Sequence, residues 1–250
     1  MMRAANSRVL DLAQACLEWQ RNYEPKLRAL VETRTEQLGF DDFERHNAFR
    51  SIDALAWKMT AAGVHLERLW EHRESSSVAR LIETFLTNES DPRRFTEVKT
   101  TLLAAEFEAF VVQARAFITV AQVHTLDACR VKFGGQLTRK KYRRLVRGAE
   151  EDVRERLRKA HNYFERAVFG RDNWGALVKS LRDRALHFDR IRPSRSVSSD
   201  EPGRLTLTGL TLERLAQDFE NGTYNLLVRV IAPVWEREWE PGPYQPRMWT

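Results

Sequence analysis

Apolar residues recur every three or four positions along most of this chain, the spacing of an amphipathic α-helix. From about Ser7 to Leu38 they form two faces. Val9, Leu12, Ala13, Cys16 and Leu17 make one, and Leu27, Leu30, Val31 and Leu38 the other. A break or kink is expected at Pro25 between them, and a stop at Gly39. Asp41 or Asp42 is placed to cap a second helix reaching about Arg73, with Phe49, Ile52, Leu55, Met59, Leu66 and Trp70 on its apolar side and Gly63 weakening its middle. Glu74 to Ser77 reads as a loop leading into a short helix from Val78 to Leu86. The Thr87 to Arg94 stretch, with Asp91-Pro92, is the expected internal boundary.

The clearest helix follows. Leu103, Phe107, Phe110, Val111, Ala114, Phe117, Ile118, Ala121, Thr125 and Ala128 keep the three/four rhythm until Gly134-Gly135. Thr138 then opens one strongly charged helix, expected to run unbroken to about Phe169 and to end at Gly170. Asp172 or Asn173 caps the next, with Trp174, Leu177, Val178, Leu181 and Ala185 on one side and Pro193 as its stop. Arg204 to Thr208 alternates with period two and is expected to pair with residues 190–198 as a small β-hairpin-like insertion. Thr211 caps a last helix carrying Leu215, Phe219, Leu226, Val230 and Ile231. These elements predict an all-α chain: an N-terminal helical extension over residues 1–90, a four-helix bundle with one irregular connection over 95–240, and a tail over 241–250.

Composition narrows the class. The chain is 42% hydrophobic and 30% charged, with few Gly and Pro, as expected of a globular helical protein. No run of about 18 apolar residues is present, so no membrane span is expected. The N-terminus lacks the apolar stretch of a secretion signal, and the two cysteines sit in helical patterns. A cytoplasmic protein with reduced, buried thiols is the expectation.

The formal charge is +6, but eight basic residues and no acid fall between Ala128 and Ala149, so the rest of the chain is slightly acidic. A local basic face points to a polyanionic partner. Arg139, Lys140, Lys141, Arg143 and Arg144 are the candidate RNA-phosphate contacts, with Tyr142 available to stack a base. No metal or cofactor is expected. His65 and His72 share a helix face with no ligand cluster around them, and Gly134-Gly135 is a helix stop rather than a phosphate loop. Trp235 and Trp239, four apart, are candidates for a dimer contact.

The candidate chemistry lies in Arg182-Asp183-Arg184-Ala185-Leu186-His187. An imidazole for proton transfer beside a fixed guanidinium for phosphate is enough for metal-free RNA cleavage. Spacing alone does not single it out, since Arg154 and Arg156 precede His161 at similar distances. The position near a helix end does, and the polar Asp183 after the arginine sets it apart from the Arg156 copy, which Leu157 follows. Residues five apart on a regular helix differ by about 140° in direction, so Arg182 and His187 converge only if the chain bends or a second protomer completes the cleft.

The stretch resembles the signature of HEPN domains, helical bundles whose motif is Arg, a polar residue, a few variable residues and His. The helix order over 95–240 is similar to that fold as well. The resemblance implies a HEPN-like four/five-helix core and a metal-independent endoribonuclease acting as a homodimer, of a kind common in toxin–antitoxin and antiphage systems. It further implies that Arg182 binds the scissile phosphate, His187 acts as general acid/base, and Asp183 orients the pair. An antitoxin or another defence protein would be a partner. In one subgroup a tyrosine lies two residues after the histidine and is modified by a partner enzyme; here Asp189 holds that position. The alternative from a different class is a non-catalytic nucleic-acid-binding or partner-binding helical module.

Overall fold

The computed structural model describes residues 23–74, 92–170, 173–186, 193–195, 205–207 and 210–236. The expected helical turns before Tyr23, the short helix over 78–86, residues 87–91 of the boundary expected over 87–94, His187 and the tail lie outside the described residues; residues 92–94 of that boundary are already helical.

The first helix, α1, is Glu24–Gln37, with Pro25 in its first turn, where a missing N–H leaves no hydrogen bond unmade. It ends as the sequence suggests. Gly39 takes φ +64°, its N–H reaches the Glu36 carbonyl at 3.1 Å, and the Phe40 N–H reaches Thr35 at 2.9 Å. Asp41, not Asp42, caps the second helix, α2 (Asp42–Glu74). Its Oδ1 accepts the Glu44 N–H at 2.7 Å while Glu44 returns a carboxylate oxygen to the Asp41 N–H at 3.2 Å.

Helix α3 (Pro92–Ala128) is the organising element. Its segment Ala104–Ala128 is long and apolar enough to cross a bilayer by length and composition. In this fold that segment is the core, packed against α2 and the helices that follow. Leu55, Met59 and Leu66 of α2 join Phe107, Phe110 and Phe117 of α3 in one continuous hydrophobic cluster. Cys129 is buried at its end.

The charged stretch after Thr138 is two helices rather than one. Thr138 Oγ1 caps α4 (Arg139–Gly148) by accepting the Lys141 N–H at 3.2 Å. The chain then turns extended at Ala149 and Glu150 before α5 (Glu151–Tyr163). Arg154 holds this break: its Nε and Nη2 both donate to the Ala149 carbonyl, at 2.9 and 2.8 Å, satisfying an acceptor that a continuous helix would have used internally. A wide π turn, Phe164–Val168, extends α5.

Helix α6 (Trp174–Leu186) packs beside α3. Three short strands follow, β1 (Pro193–Arg195), β2 (Leu205–Leu207) and β3 (Leu210–Thr211), antiparallel in that order with Ser194 opposite Thr206 and Leu207 opposite Leu210. Helix α7 (Leu212–Leu226), a second π turn (Leu227–Ile231) and a 3₁₀ turn (Pro233–Trp235) close the core. Gly222 lets α7 approach α6: a Cβ there would lie 2.1 Å from the Trp174 indole. The class is all-α.

Candidate nucleic-acid interface

Arg182 and Asp183 stand near the last described turn of α6, each partly exposed. Arg182 Nη1 donates to Asp183 Oδ1 at 2.9 Å, and Lys179, one turn back, approaches Asp183 at 3.5 Å. One carboxylate is thus shared by two cations. His187 lies outside the described residues.

Behind them sits a residue that the motif does not reveal. Arg115, on α3, is 9% exposed, and among the described residues its Nε and Nη1 have no hydrogen-bond partner. Burial lowers its pKa to about 10. The charges of Arg182 and Arg139 push the same way, and Asp183 opposes them. It is still a cation at neutral pH. What supports it locally is the face of Phe169, 5.2 Å from the guanidinium carbon to the ring centroid. Arg139 lies over the same ring at 5.3 Å. One aromatic ring therefore serves two guanidiniums, and the π turn just before Phe169 is what sets it there.

That turn also carries Glu165, the counter-ion of the basic helix. Glu165 takes both Arg139 Nε, at 2.8 Å, and Arg139 Nη2, and receives Arg143 Nη2 at 3.3 Å. These bonds hold its carboxyl below the usual carboxylate range. His161, one turn earlier, has its Nδ1 4.0 Å from Glu165, and among the described residues that nitrogen makes no hydrogen bond. Burial lowers its pKa, Glu165 raises it, and Arg143, Arg139 and Arg147 lower it, so the ring is neutral at pH 7.

The five expected RNA contacts on α4 therefore separate. Arg139 and Arg143, one turn apart, face Glu165. Lys141 folds back onto the Gly134 carbonyl and over the Phe133 ring. Lys140, Arg144 and Arg147 are exposed along one stripe and make no ion pair among the described residues. Tyr142 does not stack a base. It is fully buried, its hydroxyl is 2.8 Å from Thr125 Oγ1, and its ring packs edge-on against Phe164. Positions 142 and 146 are the buried side of this short helix, so the aromatic ring belongs to the core. Trp235, half of the candidate dimer contact, is likewise a core residue, 1% exposed, and Trp239 lies outside the described residues.

A second polar group of the kind associated with catalysis lies between α2 and α3. Ser51 Oγ is 2.7 Å from His124 Nδ1, and both Ser51 and Asp127 line a cavity of about 570 Å³. The direction of the bonds rules out a serine nucleophile there. Trp235 Nε1, which can only donate, reaches His124 Nε2 at 3.0 Å. The imidazole proton is therefore on Nδ1 and points at Ser51, whose own hydrogen is directed to the Ala48 carbonyl at 2.8 Å. An imidazole nitrogen that donates to the hydroxyl cannot take its proton. Burial also lowers the ring's pKa to about 4, against the pull of the Ile231 backbone.

No cluster of three or more metal-ligating side chains occurs among the described residues. No family model, curated protein or solved structure matches the chain.

Proposed function

We propose that this protein is a metal-independent endoribonuclease of the HEPN type, active as a homodimer in the cytoplasm and serving as a toxin or antiphage effector. The observation that carries the reading is the gathering of Arg182, Arg115 and Arg139 on three different helices, at the end of α6 that leads in sequence to His187. A phosphodiester under attack gains negative charge, and guanidiniums held in place before the reaction stabilise it without reorganising. Arg182 binds the scissile phosphate, Asp183 orients Arg182 through the 2.9 Å pair, and His187 moves the proton at the 2′-hydroxyl or the leaving oxygen. The Lys140, Arg144 and Arg147 stripe tracks the RNA backbone, with Arg139 and Arg143 on the side nearer Arg115.

The test is RNA cleavage in excess EDTA by the wild type and by His187→Ala and Arg182→Ala. The expected result is cleavage by the wild type alone. Equal cleavage by all three, or its loss on chelation, would overturn the assignment.

The exposed α4 stripe favours a second reading, a binding module without chemistry. In that case both substitutions leave salt-sensitive RNA binding intact and no cleavage is seen at any enzyme concentration.

A further inference from the structure

Two carboxylates, Glu165 and Asp183, stand among the five cations Arg139, Arg143, Lys179, Arg182 and Arg115. Each carboxylate is already shared by two of the cations. Arg115 has neither: among the described residues no carboxylate bonds it, and two of its nitrogens are buried without a partner. A guanidinium cannot shed its proton at neutral pH to escape this. Folding alone offers no reason to keep it, because an apolar side chain of similar length would fill the same position without the desolvation penalty. The arrangement makes sense when an anion completes it.

We infer that Arg115, Arg139 and Arg182 form one phosphate site, in which a phosphodiester of an RNA strand sits between Arg139 and Arg182 with the buried Arg115 charge behind it. The placement is geometric. Arg115 and Arg139 both lie over the Phe169 ring, which fixes one part of the site, and α6, packed on α3, carries Arg182 near enough for its charge to act on Arg115. A phosphate fits better than a carboxylate ligand because its tetrahedral oxygens can meet guanidiniums arriving from three helices. The choice of RNA as the source of the phosphate rests on the ribonuclease reading above; the demand for an anion does not.

Two measurements test this, both without turnover. The first is melting temperature in inorganic phosphate against chloride at equal ionic strength. The second is binding of a 2′-O-methyl RNA oligonucleotide, which cannot be cleaved through its 2′-hydroxyl, in EDTA. Arg115→Met should melt higher than the wild type in chloride, lose the phosphate-induced rise, and bind the oligonucleotide about tenfold more weakly. If Arg115→Met does not fold, Arg115→Lys, which keeps the charge but not the fork, should still weaken binding. A wild type that gains nothing from phosphate, or a variant that binds RNA within about twofold of it, overturns the site. Failure of the two readings is separable. Arg115-dependent binding with no cleavage sinks the ribonuclease and supports the site; cleavage with Arg115-independent binding does the reverse.

Discussion

Two buried polar clusters lie along α3, and they obey opposite rules. Around His124 the polar atoms are partnered: Trp235 donates to Nε2, Nδ1 donates to Ser51, and Ser51 donates to the Ala48 carbonyl. Around Arg115, a few turns away on the same helix, two buried N–H groups have no partner among the described residues and the nearest charges are mostly of like sign. The first contains the residue types of a catalytic triad and is a structural clasp. The second contains no nucleophile and is the better candidate for a working site. Residue identity suggests chemistry, but hydrogen-bond satisfaction separates a fastening from a socket.

The largest effect that would break this contrast is in the clasp. His124→Ala removes a fully buried ring, orphans Trp235 Nε1 and takes from Ser51 Oγ the donor it accepts from, so it should destabilise by about 4 kcal/mol in denaturant unfolding. A loss under about 1 kcal/mol would mean that the cluster is not the fastening described.

Acid should act on the same cluster. Below pH 6.5 the unfolded chain takes up a proton at His124 that the folded chain refuses until about pH 4, so stability falls as pH drops across that window, by roughly 3 kcal/mol in all. Asp127 works against it. Burial raises its pKa from 3.8 to about 6, so over that range the folded chain binds the extra proton and stability falls as pH rises. The two nearly cancel between pH 4 and 6. Asp127→Asn removes one side of the balance, and its melting temperature should drop more steeply with acid than that of the wild type. Parallel pH profiles for the two proteins would show that the groups are not set against each other.

The socket should respond with the opposite sign. Removing its central charge by Arg115→Met should stabilise the protein by about 1 kcal/mol in phosphate-free buffer, the relief of an unpaired buried charge less the cation–π attraction of Phe169. Destabilisation of that size would place Arg115 with the clasp.

How far the chain announces all this depends on whether a signal is local. The end of α1 at Gly39 and the caps at Asp41 and Thr138 are readable because each depends on side chains within a few residues of the backbone they satisfy. The break between α4 and α5 is less so, since Gly148 ends the helix without the left-handed turn that Gly39 makes and the Arg154 side chain that seals the break arrives from the following turn. Tyr142 misleads because its basic neighbours suggest RNA, although its four-residue spacing with Val146 marks a buried side. Arg115 escapes notice for the converse reason. It sits four residues after Val111 and three before Ile118, squarely on the apolar stripe of α3, where a lone cation is the anomaly that periodicity can flag. What periodicity cannot supply is its neighbours, because Arg139, Phe169 and Arg182 come from distant parts of the chain.

The smallest expected effect on stability falls on the exposed stripe of α4, and there the contrast becomes one between the proposed hold on RNA and holding the fold. Lys140, Arg144 and Arg147 are exposed and make no ion pair among the described residues, so replacing any one with Ala should change stability by no more than about 0.5 kcal/mol. Their contribution to binding should be additive and sensitive to salt. Each RNA phosphate that a stripe cation neutralises releases its condensed counterions, so each substitution should lower the slope of log affinity against log salt by about one. Arg115→Met should behave differently, weakening RNA at every salt concentration because its charge is shielded from solvent ions. If the stripe substitutions weakened binding equally at low and high salt, the α4 residues would be part of a desolvated site, and the division between an outer electrostatic track and an inner phosphate socket would collapse into a single surface.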